Sequence, residues 1–143
     1  MFENDGIDAL NVFRSLPVVA MMVDRELRFV AVTEQWEAHC NRTFEEVAGR
    51  KVLEALPNNP NDPDSTSNEV FRTFLERTFA EKAFLTKPVQ QYDIEIPGQG
   101  WVEKYYMPAF SPVLDANGEA VYVIHAVTDI TELVTAGSAA ARG

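Results

Sequence analysis

The sequence predicts an α+β fold built on a five-stranded antiparallel sheet, flanked by short helices and one long helix, with a cap helix at the N-terminus. Three observations carry that reading. Two apolar runs, VVAMMVD (18–24) and LRFVAVT (27–33), are separated by two polar residues, the pattern of a tight hairpin with both strands buried. Residues 66–79 carry large apolar side chains at helical spacing. From Gln91 to Thr128 the period shifts to two, interrupted by Pro97-Gly98-Gln99-Gly100 and by Asp115-Ala116-Asn117-Gly118, which makes a three-stranded meander.

In chain order, Ile7, Leu10, Phe13 and Leu16 recur every third residue as one apolar stripe on a short helix that Pro17 ends. After the hairpin, Thr33 caps a short helix bearing Trp36 and Cys40, and Thr43 with Glu46 forms a capping box for a second helix that Gly49 stops. Val52, Leu53 and Leu56 make one further turn before PNNPNDPDSTS (57–67), a loop by composition. Thr66 with Glu69 repeats the capping box at the head of the long helix, whose apolar face is Val70, Phe71, Phe74, Leu75 and Phe79. Tyr92, Ile94 and Ile96 alternate with polar residues on a half-exposed strand. Trp101 to Val113 and Glu119 to Thr128 are the last two strands. Both alternating sets of the final strand, Val121/Val123/Val127 and Tyr122/Ile124/Ala126, are apolar or aromatic, so both faces of the sheet need cover, which the N-terminal helix can supply on one side. The tail TAGSAAARG (135–143) reads as a frayed end or the start of a linker.

Composition bounds what such a domain does. The chain has 143 residues, and 12 Lys+Arg against 22 Asp+Glu give a net charge of −10, which argues against a nucleic-acid partner. A single cysteine makes neither an internal disulfide nor a zinc site, and no stretch approaches the ~20 apolar residues that span a bilayer. The acidic start, MFENDGIDAL, lacks the basic region of a secretory signal. The expectation is a cytoplasmic, soluble single core with no membrane contact and no metal site. No catalytic residues are assigned: neither His39 nor His125 stands at a spacing that groups it with a nucleophile and an orienting acid, and the carboxylates are scattered over polar faces.

Two strands, a cluster of short helices, a long helix and a meander ending in Asp129-Ile130-Thr131-Glu132 resemble the PAS sensory domains of bacterial signalling proteins. The tetrapeptide is similar to the D-I-T-E signature through which these domains pass a signal onward. TFEEVAGR (43–50), the run Leu56 to Pro63, and Ser111 to Gly118 agree with the family in order and spacing. The resemblance implies a cap helix over 1–16, a PAS domain over 17–130 and a C-terminal linker over 131–143. It also implies where cofactors would show. A flavin-adduct sensor carries a cysteine just after the Gly-Arg of the helical cluster, whereas Gly49-Arg50 here is followed by Lys51-Val52-Leu53. Haem-binding members use a histidine on the long helix, and residues 66–87 contain none. Covalent flavin and haem are therefore not supported, and any cofactor is unknown.

By the same resemblance, the register of the last strand that holds Val123, His125 and Val127 points into the ligand cavity, and Tyr106 and Phe110 point inward from the preceding strand. Met21, Val23, Tyr92, Ile94, Phe71 and Leu75 complete the expected apolar lining, although a core filled by these side chains explains them equally well. For His125 the simpler reading is a core histidine bonded to a carbonyl or a tyrosine hydroxyl, and the sharper one is contact with a ligand. Cys40 reads as a small buried hydrophobe and His39 as a surface residue. The resulting expectation is a non-enzymatic sensor module of a signal-transduction protein, of the kind that precedes histidine kinases in two-component systems. It would bind a small organic ligand and relay its state through Asp129, Ile130, Thr131 and Glu132 to an output domain or a partner signalling protein. A ligand-free dimerisation or docking module is the alternative, and a homodimer through the N-terminal helix and the outer sheet face is expected. A small enzyme with a cone-shaped pocket would need a carboxylate inside an apolar cavity, and none can be assigned there.

Overall fold

The computed structural model describes residues 6–142, with side-chain surroundings up to residue 137; the acidic start, residues 1–5, lies outside them. The elements run α1 (Ala9–Arg14), β1 (Val19–Asp24), β2 (Phe29–Val32), α2 (Glu34–Cys40), α3 (Phe44–Val47), α4 (Val52–Ala55) and α5 (Ser67–Glu81). They continue with β3 (Leu85–Thr86), β4 (Gln90–Gln91), β5 (Ile94–Ile96), β6 (Gly100–Val102), β7 (Tyr105–Leu114), β8 (Ala120–Asp129) and α6 (Thr131–Arg142). The main sheet is antiparallel in the order β2-β1-β8-β7-β3, with β4 also on β7. β3 pairs with Ala109 and Phe110, and β4 with Tyr105 and Tyr106, so the two act as halves of one edge strand. Pro88 stands between them and cannot donate to a ladder, which accounts for the break.

The meander differs from the sequence expectation in one respect. The strand expected around Tyr92 to Ile96 leaves the sheet after Gln91, and Ile94–Ile96 pairs instead with β6 as a separate ribbon. The long strand expected from Trp101 is divided accordingly at Glu103 and Lys104. The departure turns Ile94 and Ile96 into the main core beside Val47, Val52 and Trp36, so the alternation is satisfied against helices rather than against a sheet neighbour.

Local chemistry explains the helix starts. Thr33 is fully buried, and its Oγ1 accepts from the N–H groups of Ala20 and Trp36, both at 3.1 Å, while donating to the Val18 carbonyl at 2.7 Å. One hydroxyl thereby caps α2 and ties it to β1. The two expected capping boxes do not form in full. Thr43 donates to the Glu46 carboxylate at 3.4 Å, and Glu37 rather than Thr43 accepts from the Phe44 N–H at 2.8 Å. At α5, Asn58 Oδ1 accepts from Asn68 N–H at 3.0 Å and Ser65 Oγ from Ser67 N–H at 3.3 Å, in place of Thr66. The Asn/Ser-rich loop thus supplies its own caps, because short polar side chains compete well for nearby backbone donors. The β7–β8 hairpin turns as expected at Asn117-Gly118, with Gly118 at φ +79° and Asp115 Oδ1 accepting from the N–H groups of Asn117 and Glu119.

The sheet has a large core on the face covered by α2 and α5, and a small one on the other face, where Phe13 of α1 packs on Ala20, Ala31, Met22, Ile124 and Ala126. The stripe expected to cover that outer face does so through Phe13 alone; Ile7, Leu10 and Leu16 are exposed. Positions three apart drift by about 60° per step around a helix, so four such residues sweep half its circumference and cannot all face one sheet. The tail read as a linker is helical as far as Arg142, consistent with its alanine content.

Candidate functional site

The main core leaves a partly open apolar cavity of about 60 Å³ between the inner sheet face, α2 and α5. Its floor is a row across three strands: Met21 is paired with His125, and His125 with Phe110. Val127 and Tyr106 extend the floor, Phe71 closes it from α5, and Tyr92 and Ile94 close it from the ribbon side. These eight expected residues are brought together. Val23 and Leu75 are not at the cavity: both are completely buried, and they fill the core beyond it. Alternation gives them the same inward direction, but distance along the strand or helix removes them from the opening.

His125 packs against both Phe71 and Phe110, with ring centroids at 4.6 and 4.9 Å and the two phenylalanines 6.2 Å from each other. Neither the carbonyl nor the tyrosine partner expected for a core histidine is present: the imidazole makes no hydrogen bond to any described residue, and the surface it retains borders the cavity. Burial pushes its pKa down to about 3, so the ring is neutral near physiological pH.

The histidine that does bond a tyrosine is His39, and the surface position expected for it is incorrect. His39 is half-buried at the cavity wall, with Nε2 and the Tyr106 hydroxyl hydrogen-bonded at 2.8 Å and the rings edge-to-face. Burial lowers its pKa, the nearby Lys104 ammonium lowers it further, and Asp129 opposes both. A signal for this was present in the sequence, since Trp36, His39 and Cys40 stand at i, i+3 and i+4 and share one helix face. Cys40 is buried as expected, its thiol pushed up to about 12 by burial, so it is a poor nucleophile at neutral pH. Tyr92 is likewise raised by burial; its hydroxyl donates to the Leu56 carbonyl at 2.6 Å and also contacts Asn68.

The strand that carries His125 and Val127 runs directly into Asp129. Tyr106 faces Asp129 across the β7–β8 ladder. Asp129 Oδ2 accepts from Lys104 Nζ at 2.9 Å, and its Oδ1 accepts from the Thr131 N–H and hydroxyl, capping α6. Those bonds hold its carboxyl below the usual range although partial burial opposes them. Ile130 N–H donates to the Tyr105 carbonyl at 2.9 Å, and Thr131 Oγ1 accepts from Tyr105 N–H at 3.0 Å. The start of α6 is thus pinned to the strand whose next residue lines the cavity, while Glu132 is exposed.

A family model described as the PAS fold matches residues 13–135, most of the chain. The chain belongs to the PAS fold family. Solved structures agree with this assignment. An RNA-binding light-oxygen-voltage receptor aligns with a TM-score of 0.63 at 17% identity, over 86% of this chain and 32% of that one. The PAS domain of a protein from Colwellia psychrerythraea aligns at 0.63 and 14% identity, over 85% of this chain and 92% of that one. A sensory box sensor histidine kinase from Vibrio cholerae aligns at 0.57 and 14%, over 84% and 87%. Identities this low speak for the fold alone. The chain spans about a third of the light receptor's length. No curated protein matches the sequence. PAS domains are in general non-catalytic sensory modules, and this one has no group of three metal-ligating side chains and no helix long and apolar enough to cross a membrane among its described residues.

The residues after Gly49-Arg50 do not supply the cysteine that the resemblance places there in a flavin-adduct sensor. Lys51, Val52 and Leu53 follow Arg50, Val52 is completely buried in the core, and the only thiol of the sequence is that of Cys40 on α2.

Proposed function

We propose that this PAS domain is a non-enzymatic sensor that takes a small organic ligand into the cavity around His125 and passes its state through Asp129-Ile130-Thr131-Glu132 to an output domain or partner protein. The observation that carries the reading is continuity: β8 lines the cavity with His125 and Val127 and two residues later caps α6 through Asp129. A ligand that shifts β8 or Tyr106 therefore acts on Asp129 and on the Tyr105–Ile130 and Tyr105–Thr131 bonds without an intermediary. The cavity is smaller than the roughly 300–1,000 Å³ of drug-sized sites, so the ligand is small.

The domain works as a homodimer in this reading. Ile7, Leu10, Val12, Leu16 and Val18 are exposed around α1, next to an outer face covered by Phe13 alone. A patch of this kind is more useful between two copies than in water. It also favours the second reading, a docking module that binds no ligand. Native mass spectrometry of the protein purified from its own host separates the two: a stoichiometric small molecule supports the sensor, and an empty dimer supports the docking module.

A further inference from the structure

We infer that the cavity selects a neutral molecule no larger than a single ring, carrying one hydrogen-bonding group that is read by the edge of the His125 imidazole, and that it excludes carboxylates and phosphates. This rests on the ligand-sensing reading and narrows it to a chemical class.

The inference follows from which polar groups at the cavity are already engaged. His39 Nε2 and the Tyr106 hydroxyl bond each other, the Tyr92 hydroxyl is taken by Leu56 and Asn68, and Lys87 donates to Gln90. His125 differs from His39 in that neither of its ring nitrogens has a partner among the described residues. Phe71 and Phe110 pack against it from adjacent directions, and a hydrogen-bonding partner can meet the imidazole only at a ring nitrogen. A neutral imidazole offers one N–H donor and one lone pair, and so suits a hydroxyl or a ring nitrogen equally.

Charge is excluded by the surroundings. The imidazole is neutral because burial disfavours its protonation, Cys40 and the tyrosines are held protonated, and the one lysine of the lining, Lys87, is engaged by the Gln90 side-chain carbonyl. An anion taken in beside His125 would lose its water among apolar groups, with only the Gln90-bound Lys87 ammonium in the lining to replace it. Size is limited by the volume. A cavity of roughly 150 Å³ holds benzene, so one of about 60 Å³ admits a ring only as flexible Met21 and half-buried Phe74 give way.

The test is NMR titration of the intact chain, near neutral pH, with phenol, toluene and benzoate, and then with His125→Phe. Phenol should bind about tenfold more tightly than toluene, the worth of one net hydrogen bond, and benzoate should leave the cavity resonances unmoved. In His125→Phe the preference for phenol should fall to about twofold or less while toluene binding persists, which also reports that the variant is folded. Benzoate binding as well as phenol, or a phenol preference that survives the substitution, overturns the inference and leaves the ligand-sensing reading in place. If none of the three compounds, nor any member of a wider fragment set, perturbs the cavity, the sensing reading fails and this inference with it.

Discussion

The two faces of the sheet meet the same requirement in different ways. Inside, Val23, Leu75 and Val123 are completely buried in the main core, and a cavity remains beside them between the sheet, α2 and α5. Outside, the residues toward α1 include Ala20, Ala31 and Ala126, and one phenylalanine makes the cover. Small side chains let Phe13 approach the strands closely, but they leave little area to bury, and the rest of the α1 stripe stays in water. An apolar alternation therefore says that a face wants cover; the size of its residues says how much cover it gets.

The largest expected effect contrasts the two cores directly. Leu75→Ala should cost about 3 kcal/mol in urea unfolding, because it opens a void in a closely packed interior. Phe13→Ala should cost about 2 kcal/mol, since α1 can detach and its surroundings relax into water. Equal losses would mean that the outer face is as tightly built as the inner one.

The next effect belongs to the inner face alone. The pKa of His125 is about 3 in the folded chain against about 6.5 when unfolded. Below about pH 6.5 the unfolded chain takes up a proton that the native one refuses, so stability is full above that pH and falls as the solution is acidified. The slope from this residue approaches about 1.4 kcal/mol per pH unit, and His39, lowered in the same direction, adds to it. Melting temperatures between about pH 7 and pH 5, above the carboxylate range, should drop more steeply for the parent than for His125→Phe. Parallel profiles would assign the proton uptake to His39.

The smallest effect on folding is expected at the exposed stripe. Leu10→Asp should change stability by less than about 0.5 kcal/mol, because Leu10 is half-exposed and outside the Phe13 cluster. In the homodimer reading the same substitution weakens self-association, measured by analytical ultracentrifugation. A variant that dimerises like the parent would separate the outer face from assembly altogether.

The resemblance to PAS domains supplied the inward direction of His125, Tyr106 and Phe110, while the sequence alone determined most of the order of strands and helices, the Asn117-Gly118 hairpin, the Thr33 cap and which residues of β8 share a face. These are local matters: a side chain's direction follows from its own backbone, and a turn from its own few residues. Tertiary structure decided the rest. Met21 and Val23 share one alternating set, yet only Met21 borders the cavity, because the volumes of Phe71, Phe110 and Leu75, brought from distant positions, set where space remains. His39 became a cavity residue when β7 carried Tyr106 to within 2.8 Å of it, a meeting between positions 67 residues apart. Asn58 and Ser65 displaced Thr66 as caps because the folded loop returned them to the head of α5. Periodicity reports which way a residue faces; which residue it meets, and whether the two fill the space between them, depends on volumes and hydrogen-bonding groups supplied by the rest of the chain.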